Sequence, residues 1–226
     1  MIAVLDDHFQ TPLNKQALLN VGGSSGIIDN YLADYFRSVI NVDIDEPAIE
    51  QARSNFKKDN LRFQTGDALN LQFSDNSFDV VICSQVYEHV VNPQKMLGEI
   101  FRVLVPGGIC YFAASNRLMW NEPHYNLPLL SVVPRPLAHL YVRLMKKSSQ
   151  YHELHYTYRG LKKLVRNFIV KDITCKLICD PVKYHIDYMM PPDSIKAVIA
   201  KIITRKFNWL TPGYIWLLQK PSHANS

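Results

Sequence analysis

The sequence predicts an α/β protein built on a mostly parallel β-sheet. Between residues 16 and 115, short apolar runs alternate with amphipathic segments, which is the pattern of strands joined by helices. One run, Phe78–Ser84, is almost continuously apolar, as is expected of a strand that helices cover on both faces. With 226 residues, 47% of them hydrophobic, the chain is long enough to bury the core of one large domain.

Five strands and three helices are predicted in the first half. The second helix begins at Glu46-Pro47, because proline is tolerated in the first helical turn, where its missing N–H has no partner. The third helix ends at Pro106-Gly107-Gly108, a sequence that stops helices. The predicted strands are 16–21, 38–44, 61–65, 78–84 and 109–114, and the predicted helices are 27–36, 46–57 and 92–105.

The second half begins with a segment of different composition. Residues 116–150 contain prolines and aromatic side chains and leave the carboxyl end of the fifth strand, so we expect a lid over a ligand crevice. The elements predicted to follow are a helix (159–168), a strand (169–178), a helix (193–206), a last strand (214–218) and a frayed tail (221–226). The expected organisation is one domain, 1–226, with a first half (1–115), the lid (116–150), a C-terminal half (151–220) and the tail.

Charge is distributed unevenly along the chain. The formal net charge is +5, but residues 1–115 hold 8 Lys and Arg against 14 Asp and Glu, whereas the remainder holds 17 against 6. Three helical segments of the basic half carry an apolar stripe opposite a basic one. The apolar stripes are Leu137, Leu140, Tyr141 and Leu144; Leu161, Leu164, Val165 and Phe168; and Ile195, Val198, Ile199 and Ile202.

We expect these apolar stripes to pack on the sheet or cover the crevice, with the basic stripes in solvent. The alternative is that the lid, with Trp120, Tyr125 and its other apolar residues, has a basic rim that meets an anionic membrane or a phosphorylated, lipid-like substrate.

The cysteines and the start of the chain predict a soluble, cytoplasmic protein, with any peripheral contact at the inner membrane surface. The four cysteines lie in apolar, strand-like segments without a CxxC pair or histidines at ligand spacing, so we expect buried free thiols and no metal site. They are Cys83, Cys110, Cys175 and Cys179. No stretch approaches the roughly 20 apolar residues of a spanning helix, and the first nine residues include Asp6 and Asp7 instead of a basic leader.

A glycine-rich turn joins the first predicted strand to the first helix. The sequence Asn20-Val21-Gly22-Gly23-Ser24-Ser25-Gly26 has small residues where backbone can approach a ligand and helix N–H groups are free. A turn with only a structural role would have the same composition. A dinucleotide fingerprint would need glycine at positions 24 and 27, so Ser24 and Ile27 argue against a nicotinamide or flavin cofactor.

Two acidic residues follow the next two strands. Asp43 ends the second strand 21 positions after Gly22, where a carboxylate can accept hydrogen bonds from both hydroxyls of a ribose. Asp67, in Gly66-Asp67-Ala68, follows the third strand, where an adenine amino group would lie. Taken alone, Asp67 could equally cap its loop. The glycine turn and Asp43 together indicate a cofactor site more strongly than either does alone.

These motifs resemble the small-molecule branch of the class I S-adenosylmethionine-dependent methyltransferases. The likeness covers residues 18–115 and is most specific in the run from Phe78-Asp79-Val80-Val81 through Tyr87-Glu88-His89-Val90 to Pro106-Gly107-Gly108. It implies a Rossmann-like three-layer sandwich, with a seven-stranded, mostly parallel sheet, an antiparallel last strand and a lid insertion after strand five.

The resemblance also implies a cofactor and its binding residues. The cofactor is S-adenosyl-L-methionine, and the product is S-adenosyl-L-homocysteine. The residues expected to bind it are Asn20, Gly22, Gly23, Gly26, Asp43, Ile44, Asp67, Ala68, Ser84 and Gln85.

Two positions depart from the family pattern. Asn20 stands where the family usually has an acidic residue, and Ser24 stands where it has a third glycine. Asn20 can accept a hydrogen bond from the methionine ammonium but supplies no charge, so we expect a reduced cofactor affinity. The departures leave open a degenerate, non-catalytic cofactor-fold protein that binds a ligand or partner without turnover.

The implied activity is methyl transfer to a small, apolar or aromatic acceptor, with O-methylation favoured. A hydroxyl acceptor must lose its proton, and a histidine base suits that task. His89 and His155 are the predicted catalytic residues, with His124 and His152 as further candidates; each could instead be structural. Carbon methylation of a quinone- or lipid-like ring is the alternative. Nucleic acid is not expected as a partner, because the fourth strand ends in Ser84-Gln85-Val86-Tyr87 and lacks the proline-aromatic run of amino-methylating enzymes.

Overall fold

The structure is a computed structural model that describes residues 1–222. The strands are β1 (Ala17–Val21), β2 (Ser38–Asp43), β3 (Leu61–Thr65), β4 (Phe78–Ser84), β5 (Leu104–Ser115), β6 (Asn121–Glu122), β7 (Leu127–Pro128), β8 (Ile169–Asp172) and β9 (Gly213–Gln219). The α-helices are α1 (Ile2–Asp6), α2 (Ile27–Leu32), α3 (Glu46–Asn55), α4 (Pro93–Val103), α5 (Arg135–Leu144), α6 (Tyr158–Leu164), α7 (Thr174–Cys179) and α8 (Ile195–Lys206).

Seven strands form one sheet in the order β3-β2-β1-β4-β5-β9-β8. The first five strands pair in parallel, whereas β9 runs antiparallel to both β5 and β8. The predicted seven-stranded, mostly parallel sheet with an antiparallel last strand is therefore confirmed. The strand order reverses between β1 and β4, which places the carboxyl ends of these two strands at a topological switch point.

Helices cover both faces of the sheet. Successive residues of a strand point to opposite faces, and in β1 Leu19 lies in one core cluster while Leu18 lies in the other. Met96 and Ile100 of α4 are fully buried in the first cluster, and Ile49 of α3 is fully buried in the second. The result is the predicted three-layer sandwich.

The lid has a small core of its own. The hairpin β6-β7 and the helix α5 enclose five buried residues that are separate from both sheet clusters. They are Leu127, Leu130, Ala138, Val142 and Tyr151. The fifth sheet strand ends where the lid begins, so the lid stands at the same edge of the sheet as the switch point.

The predicted strand 169–178 is wrong in its second half. The strand β8 ends at Asp172, and α7 follows it. The reason is local: the Asp172 side chain accepts a hydrogen bond from the Thr174 N–H at 3.0 Å, which turns the chain out of the sheet. Cys175 and Cys179 consequently lie half-buried on α7 instead of buried in a strand, while Cys83 and Cys110 are buried as predicted and all four are free.

Several predicted helices are longer than the observed ones. Helix α2 ends at Leu32 instead of residue 36. Helix α6 spans Tyr158–Leu164 instead of 159–168. The predicted helix 92–105 ends at Val103, because Leu104 pairs with Phe78 and β5 therefore begins before Pro106-Gly107-Gly108. Of the predicted tail 221–226, residues 223–226 lie outside the described residues.

Two of the three predicted apolar stripes face solvent. Helix α5 turns Ala138 and Val142 inward and leaves Leu137 and Leu144 56% and 70% exposed. Helix α8 likewise leaves Ile195 80% exposed. The small residues lie inward because they let the helix approach its neighbours closely. The stripe of α6 packs on the sheet as predicted, with Leu161, Val165 and Phe168 buried. Within residues 1–222, every helix is too short or too polar to cross a membrane.

Candidate active site

A cavity of about 370 Å³ opens at the carboxyl ends of β1 to β4. It lies at the switch point between β1 and β4, where open α/β sheets bind their ligands. The predicted site residues that line it are Gly22, Asp43, Ile44, Asp67, Ala68, Gln85 and His89. Those that do not line it are Asn20, Gly23, Gly26, Ser84 and His155.

Asp43 is held in a fixed orientation at the cavity wall. Its Oδ2 accepts a hydrogen bond from the Ser24 N–H at 2.7 Å, and its Oδ1 accepts one from the Asp45 N–H at 3.0 Å. Each carboxylate oxygen has a second lone pair. Asp43 can therefore accept two further hydrogen bonds from a pair of ligand hydroxyls.

Asp67 both lies at the cavity wall and caps its own loop. It lines the cavity next to Ala68, and its Oδ1 accepts a hydrogen bond from the Leu69 N–H at 2.8 Å. The hydrogen bond within the loop holds the Asp67 carboxylate at the cavity wall, where it can contact a bound ligand.

The glycine turn needs its glycines for packing as well as for space at the cavity. Gly22 and Gly26 have φ angles of 75° and 74°, a region that residues with a Cβ rarely adopt. A Cβ on Gly22 would lie 2.6 Å from Val86 Cγ2, and one on Gly23 would lie 2.4 Å from Asn41 Nδ2. The turn therefore packs tightly on its supports, and substitutions here would move the cavity wall.

The side chain of Asn20 points into the protein and away from the cavity. Its Nδ2 donates to Oδ1 of Asp29 at 2.8 Å, and Asn41 Nδ2 donates to Oδ2 of the same carboxylate at 2.7 Å. Asp29 is fully buried, and burial raises its pKa to about 6 against the two amide hydrogen bonds. The acid that the family pattern places in β1 is thus absent from position 20, while a buried acid of α2 lies directly beside that position.

The sequence does not predict the burial of Asp29, because α2 buries this acidic residue and turns its isoleucines to solvent. The neighbouring Ile27 and Ile28 are 67% and 55% exposed, so hydrophobic periodicity predicts the opposite orientation. The only signal in the sequence is an aspartate in the first turn of the helix that follows the glycine turn.

Gln85 connects the cavity to the edge of the lid. Gln85 has a positive φ of 57°, and its Oε1 accepts a hydrogen bond from Ser115 Oγ at 2.6 Å. The hydroxyl of Tyr87 donates to the Ser115 carbonyl at 2.6 Å and accepts from the Tyr156 N–H at 3.2 Å. The exposed Ser84 takes no part in this network.

Beside the cavity, the lid brings a carboxylate and three histidines together. The ring centroids of His89 and His124 are 4.7 Å apart, in an edge-to-face arrangement. His124 Nδ1 lies 2.6 Å from Glu122 Oε1, and His155 Nε2 lies 3.5 Å from the same oxygen. Of the two predicted catalytic histidines, His89 faces the cavity and His155 is buried behind it.

Burial controls the electrostatics of this group. Burial, and next the charge of His124, lowers the pKa of His89, so its imidazole is neutral at neutral pH. Burial also raises the pKa of Glu88, against the interactions with His155 and His124. For Glu122, burial raises the pKa, but the contacts with His155 and His124 outweigh it and hold the carboxyl below its usual range.

A second, largely apolar cavity of about 610 Å³ lies beyond the end of β5. It is lined by Leu118, Thr157, Tyr158, Arg159 and Trp209. The lid and the start of α6 thus supply apolar surface at this edge of the sheet.

The first half of the chain matches a known family. Residues 19–112 match the family described as "Methyltransferase domain". A probable S-adenosylmethionine-dependent methyltransferase of Mycolicibacterium smegmatis is 33% identical over 112 residues, 50% of this chain and 42% of that protein. A ubiquinone biosynthesis O-methyltransferase of Coxiella burnetii is 30% identical over 110 residues, 48% of this chain and 47% of that protein.

Two further comparisons extend this result. A ubiquinone/menaquinone biosynthesis C-methyltransferase of Ruegeria sp. is 34% identical over 133 residues, 55% of this chain and 53% of that protein. The crystal structure of an S-adenosylmethionine-dependent methyltransferase from Mesorhizobium loti superposes with a TM-score of 0.63 at 14% identity, covering 96% of this chain and 95% of that chain. The second likeness shows the fold.

Residues 19–112 therefore match the methyltransferase-domain family, as the sequence motifs predicted, and the chain has the fold of the Mesorhizobium loti protein. S-adenosylmethionine is the cofactor named for two of these similar proteins. The cavity fits such a group, since a fixed carboxylate, Asp43, and a glycine turn without side chains share its wall. The chain spans about half the length of the curated relatives that it matches.

Proposed function

We propose that this chain transfers a methyl group from S-adenosylmethionine to a small, apolar or aromatic acceptor, with oxygen as the favoured acceptor atom. The observation that supports an oxygen acceptor most directly is His89, a neutral imidazole at the cavity wall. When bound, S-adenosylmethionine supplies a methyl group on a cationic sulfur, which is already activated for transfer.

The residues of the cavity divide the remaining work. Asp43 accepts hydrogen bonds from the ribose hydroxyls, Asp67 and Ala68 hold the adenine, and Gly22 lets the backbone approach the methionine part. Gln85 fixes the cavity floor through Ser115. His89 takes the proton of the acceptor hydroxyl, which raises the nucleophilicity of the oxygen at the moment of transfer.

His155 does not line the cavity, so we assign the base role to His89 alone. Carbon methylation of a quinone-like ring is the second candidate, favoured by the similarity to the Ruegeria C-methyltransferase. The apolar second cavity suits the tail or ring of such acceptors equally well.

A panel of phenols, catechols and prenylated quinols distinguishes the candidates. Each is incubated with the protein and S-adenosylmethionine, and products are detected by mass spectrometry. For an oxygen acceptor, we expect His89→Ala to lower kcat by about 10²- to 10⁴-fold, whereas His152→Ala, an exposed histidine of the same region, leaves kcat unchanged.

The pH profile is the second readout. Activity of the wild type should fall as the pH drops through the lowered pKa of His89, because the protonated imidazole can no longer accept a proton. A carbon-methylated product with unchanged kcat in His89→Ala would contradict the base role. Cofactor binding without turnover of any acceptor would favour the non-catalytic alternative.

We further propose that α5 docks on an anionic membrane surface. Its solvent-facing Leu137 and Leu144 are exposed, and the exposed Lys146 and Lys147 follow at its carboxyl end. An apolar face bordered by lysines is typical of helices that lie in the interface of anionic membranes. Such a position would give the lid access to acceptors that dissolve in the bilayer.

Co-sedimentation with phosphatidylserine vesicles tests this proposal. Charge reversal at Lys146 and Lys147 should weaken binding by roughly 2 kcal/mol per lysine, about 1 kcal/mol for each unit of charge changed, while Lys57→Glu, an exposed lysine in the first half, should have no effect. Binding that neither high salt nor these substitutions alter would contradict electrostatic docking.

A further inference from the structure

The group formed by Glu122, His124 and His155 has unsatisfied polar atoms in the protein interior. One donor atom from each residue lies within 4.8 Å of the other two. The structure pairs Glu122 with the backbone N–H of Tyr125 at 2.9 Å and with His124, which explains its burial. His155 has no such explanation, because its side chain is 1% exposed and both of its ring nitrogens lack a hydrogen-bond partner within residues 1–222.

A second buried side chain, that of Glu88, also has polar atoms without hydrogen-bond partners in the described residues. Glu88 is 1% exposed, and neither of its carboxylate oxygens has a hydrogen-bond partner in the described chain. Its carbonyl accepts the Leu154 N–H at 2.9 Å, which holds the segment of His155 against the residues that follow β4. Burying a polar group without a partner costs on the order of 2 kcal/mol, so a cation bound to this group would lower the cost of burying both His155 and the nearby Glu88.

We propose that Glu122, His124 and His155 bind a divalent transition-metal ion. Two imidazoles and one carboxylate form a donor set that suits zinc, iron or cobalt better than magnesium or calcium, which prefer oxygen ligands. Metal–donor distances of about 2.0–2.2 Å place two ligands of one ion no more than roughly 4.4 Å apart. Glu122 Oε1 lies 2.6 Å from His124 Nδ1 and 3.5 Å from His155 Nε2, and the three donor atoms all lie within 4.8 Å of one another, so small side-chain rotations bring them to ligand spacing.

The three proposed ligands come from two different segments of the chain. Glu122 and His124 belong to the lid, in and next to the β6-β7 hairpin, and His155 belongs to the segment before α6. One ion would therefore tie the lid to the sheet edge. The partly exposed His124, 33% exposed, supplies an entry path from solvent.

The ion would also stand beside the cofactor cavity. The ring of His89, which lines that cavity, contacts His124 edge-on. Three protein ligands leave at least one coordination position open for water or an acceptor atom, as in metal sites that bind substrates.

The test uses the full chain without a histidine tag, stripped of metal with a chelator and then titrated with Co²⁺ or Zn²⁺. We expect one ion per chain, visible absorption bands of bound Co²⁺, and a higher melting temperature for the zinc-loaded protein. His124→Ala should weaken binding by about tenfold or more without unfolding the protein, because this side chain is partly exposed. Glu122→Gln should weaken it as well.

Two controls separate this site from other metal-binding groups. His152→Ala should bind the ion as the wild type does. The double variant Cys175→Ser/Cys179→Ser should also retain binding, since the two sulfur atoms, 3.7 Å apart, are the competing soft ligands. Binding that His124→Ala leaves unchanged, or no binding at millimolar Zn²⁺, would overturn the proposal. These readouts do not depend on methyl transfer.

Discussion

The two halves of the molecule differ in the contacts that hold their candidate functional side chains in place. In residues 1–115, the functional groups lie at strand ends, and each is held by its own neighbourhood: Asp43 by the N–H groups of Ser24 and Asp45, Asp67 by that of Leu69. In the second half, the candidate groups come from distant positions and meet only when the lid folds over the sheet edge. The groups proposed to bind the cofactor are therefore fixed by backbone N–H groups of the adjoining loops, whereas the group of Glu122, His124 and His155 depends on contacts between separate segments of the second half.

Helices of the two halves also differ in whether their large apolar side chains are buried. The buried face of α4 matches its apolar periodicity, with Met96, Ile100 and Val103 fully buried. Helices α5 and α8 of the basic half instead present their largest apolar side chains to solvent. The contrast holds between these helices and not between the whole halves, because α2 of the first half also exposes Ile27 and Ile28.

Removing the lid is the strongest test of this division. Replacing residues 120–147 by a short glycine-serine linker should abolish turnover and leave cofactor binding intact, because the lid has its own core and the cavity is lined by residues 22–91. Calorimetry with S-adenosylhomocysteine and a product assay measure the two effects. Equal loss of both would show that the lid belongs to the core of the domain.

Gly26→Ala tests whether the first half depends on local backbone geometry. Its φ of 74° is costly for alanine, and the new Cβ would lie 2.3 Å from Phe63 Cε1, so we expect a loss of about 2–4 kcal/mol of unfolding free energy in urea. Gly98→Ala is the matched control: it lies in α4 with open space around it and should gain about 0.5–1 kcal/mol. Equal effects of the two substitutions would refute a special role for the turn.

Asp29 makes the stability of the first half depend on pH. The pKa of Asp29 rises from 3.8 to about 6 on folding, so the folded state binds the proton more tightly. Its contribution to stability is fully present below pH 3.8 and is lost as the pH rises through 6. Relative to Asp29→Asn, the wild type should lose roughly 3 kcal/mol across this range, measured by urea unfolding at several pH values. A parallel pH dependence of the two proteins would show that Asp29 does not titrate there.

The fold was predictable to the extent that short segments determine their own structure. The strands of the first half follow from apolar runs, and the number of strands and the antiparallel last strand follow from the family resemblance. The strand predicted at 169–178 failed because a short apolar run is compatible with either a strand or a helix, and Asp172 decided the outcome. The prediction that the apolar stripes of α5 and α8 are buried was wrong, because periodicity shows that a helix is amphipathic but not which of its faces packs against the protein.

The site was predictable on the same terms. Asp43 ends β2, and Asp67 and Gln85 follow within two residues of β3 and β4, so their positions on the chain already placed them at one edge of the sheet. Glu122 and His155 are far apart in sequence, and no spacing rule connects them. Asp29 lies among isoleucines on a helix whose apolar side faces solvent, so its contact with Asn20 required the tertiary structure.

Calorimetry of S-adenosylmethionine and S-adenosylhomocysteine binding tests the central claim, that the strand ends of the first half form the cofactor site. The comparison is between the wild type, Asp43→Ala and Asp59→Ala, which removes the same charge outside this cavity. We expect saturable binding that Asp43→Ala weakens by about 1.5–3 kcal/mol and that Asp59→Ala leaves unchanged. Failure of the wild type to bind either nucleotide, or equal effects of the two substitutions, would contradict the account.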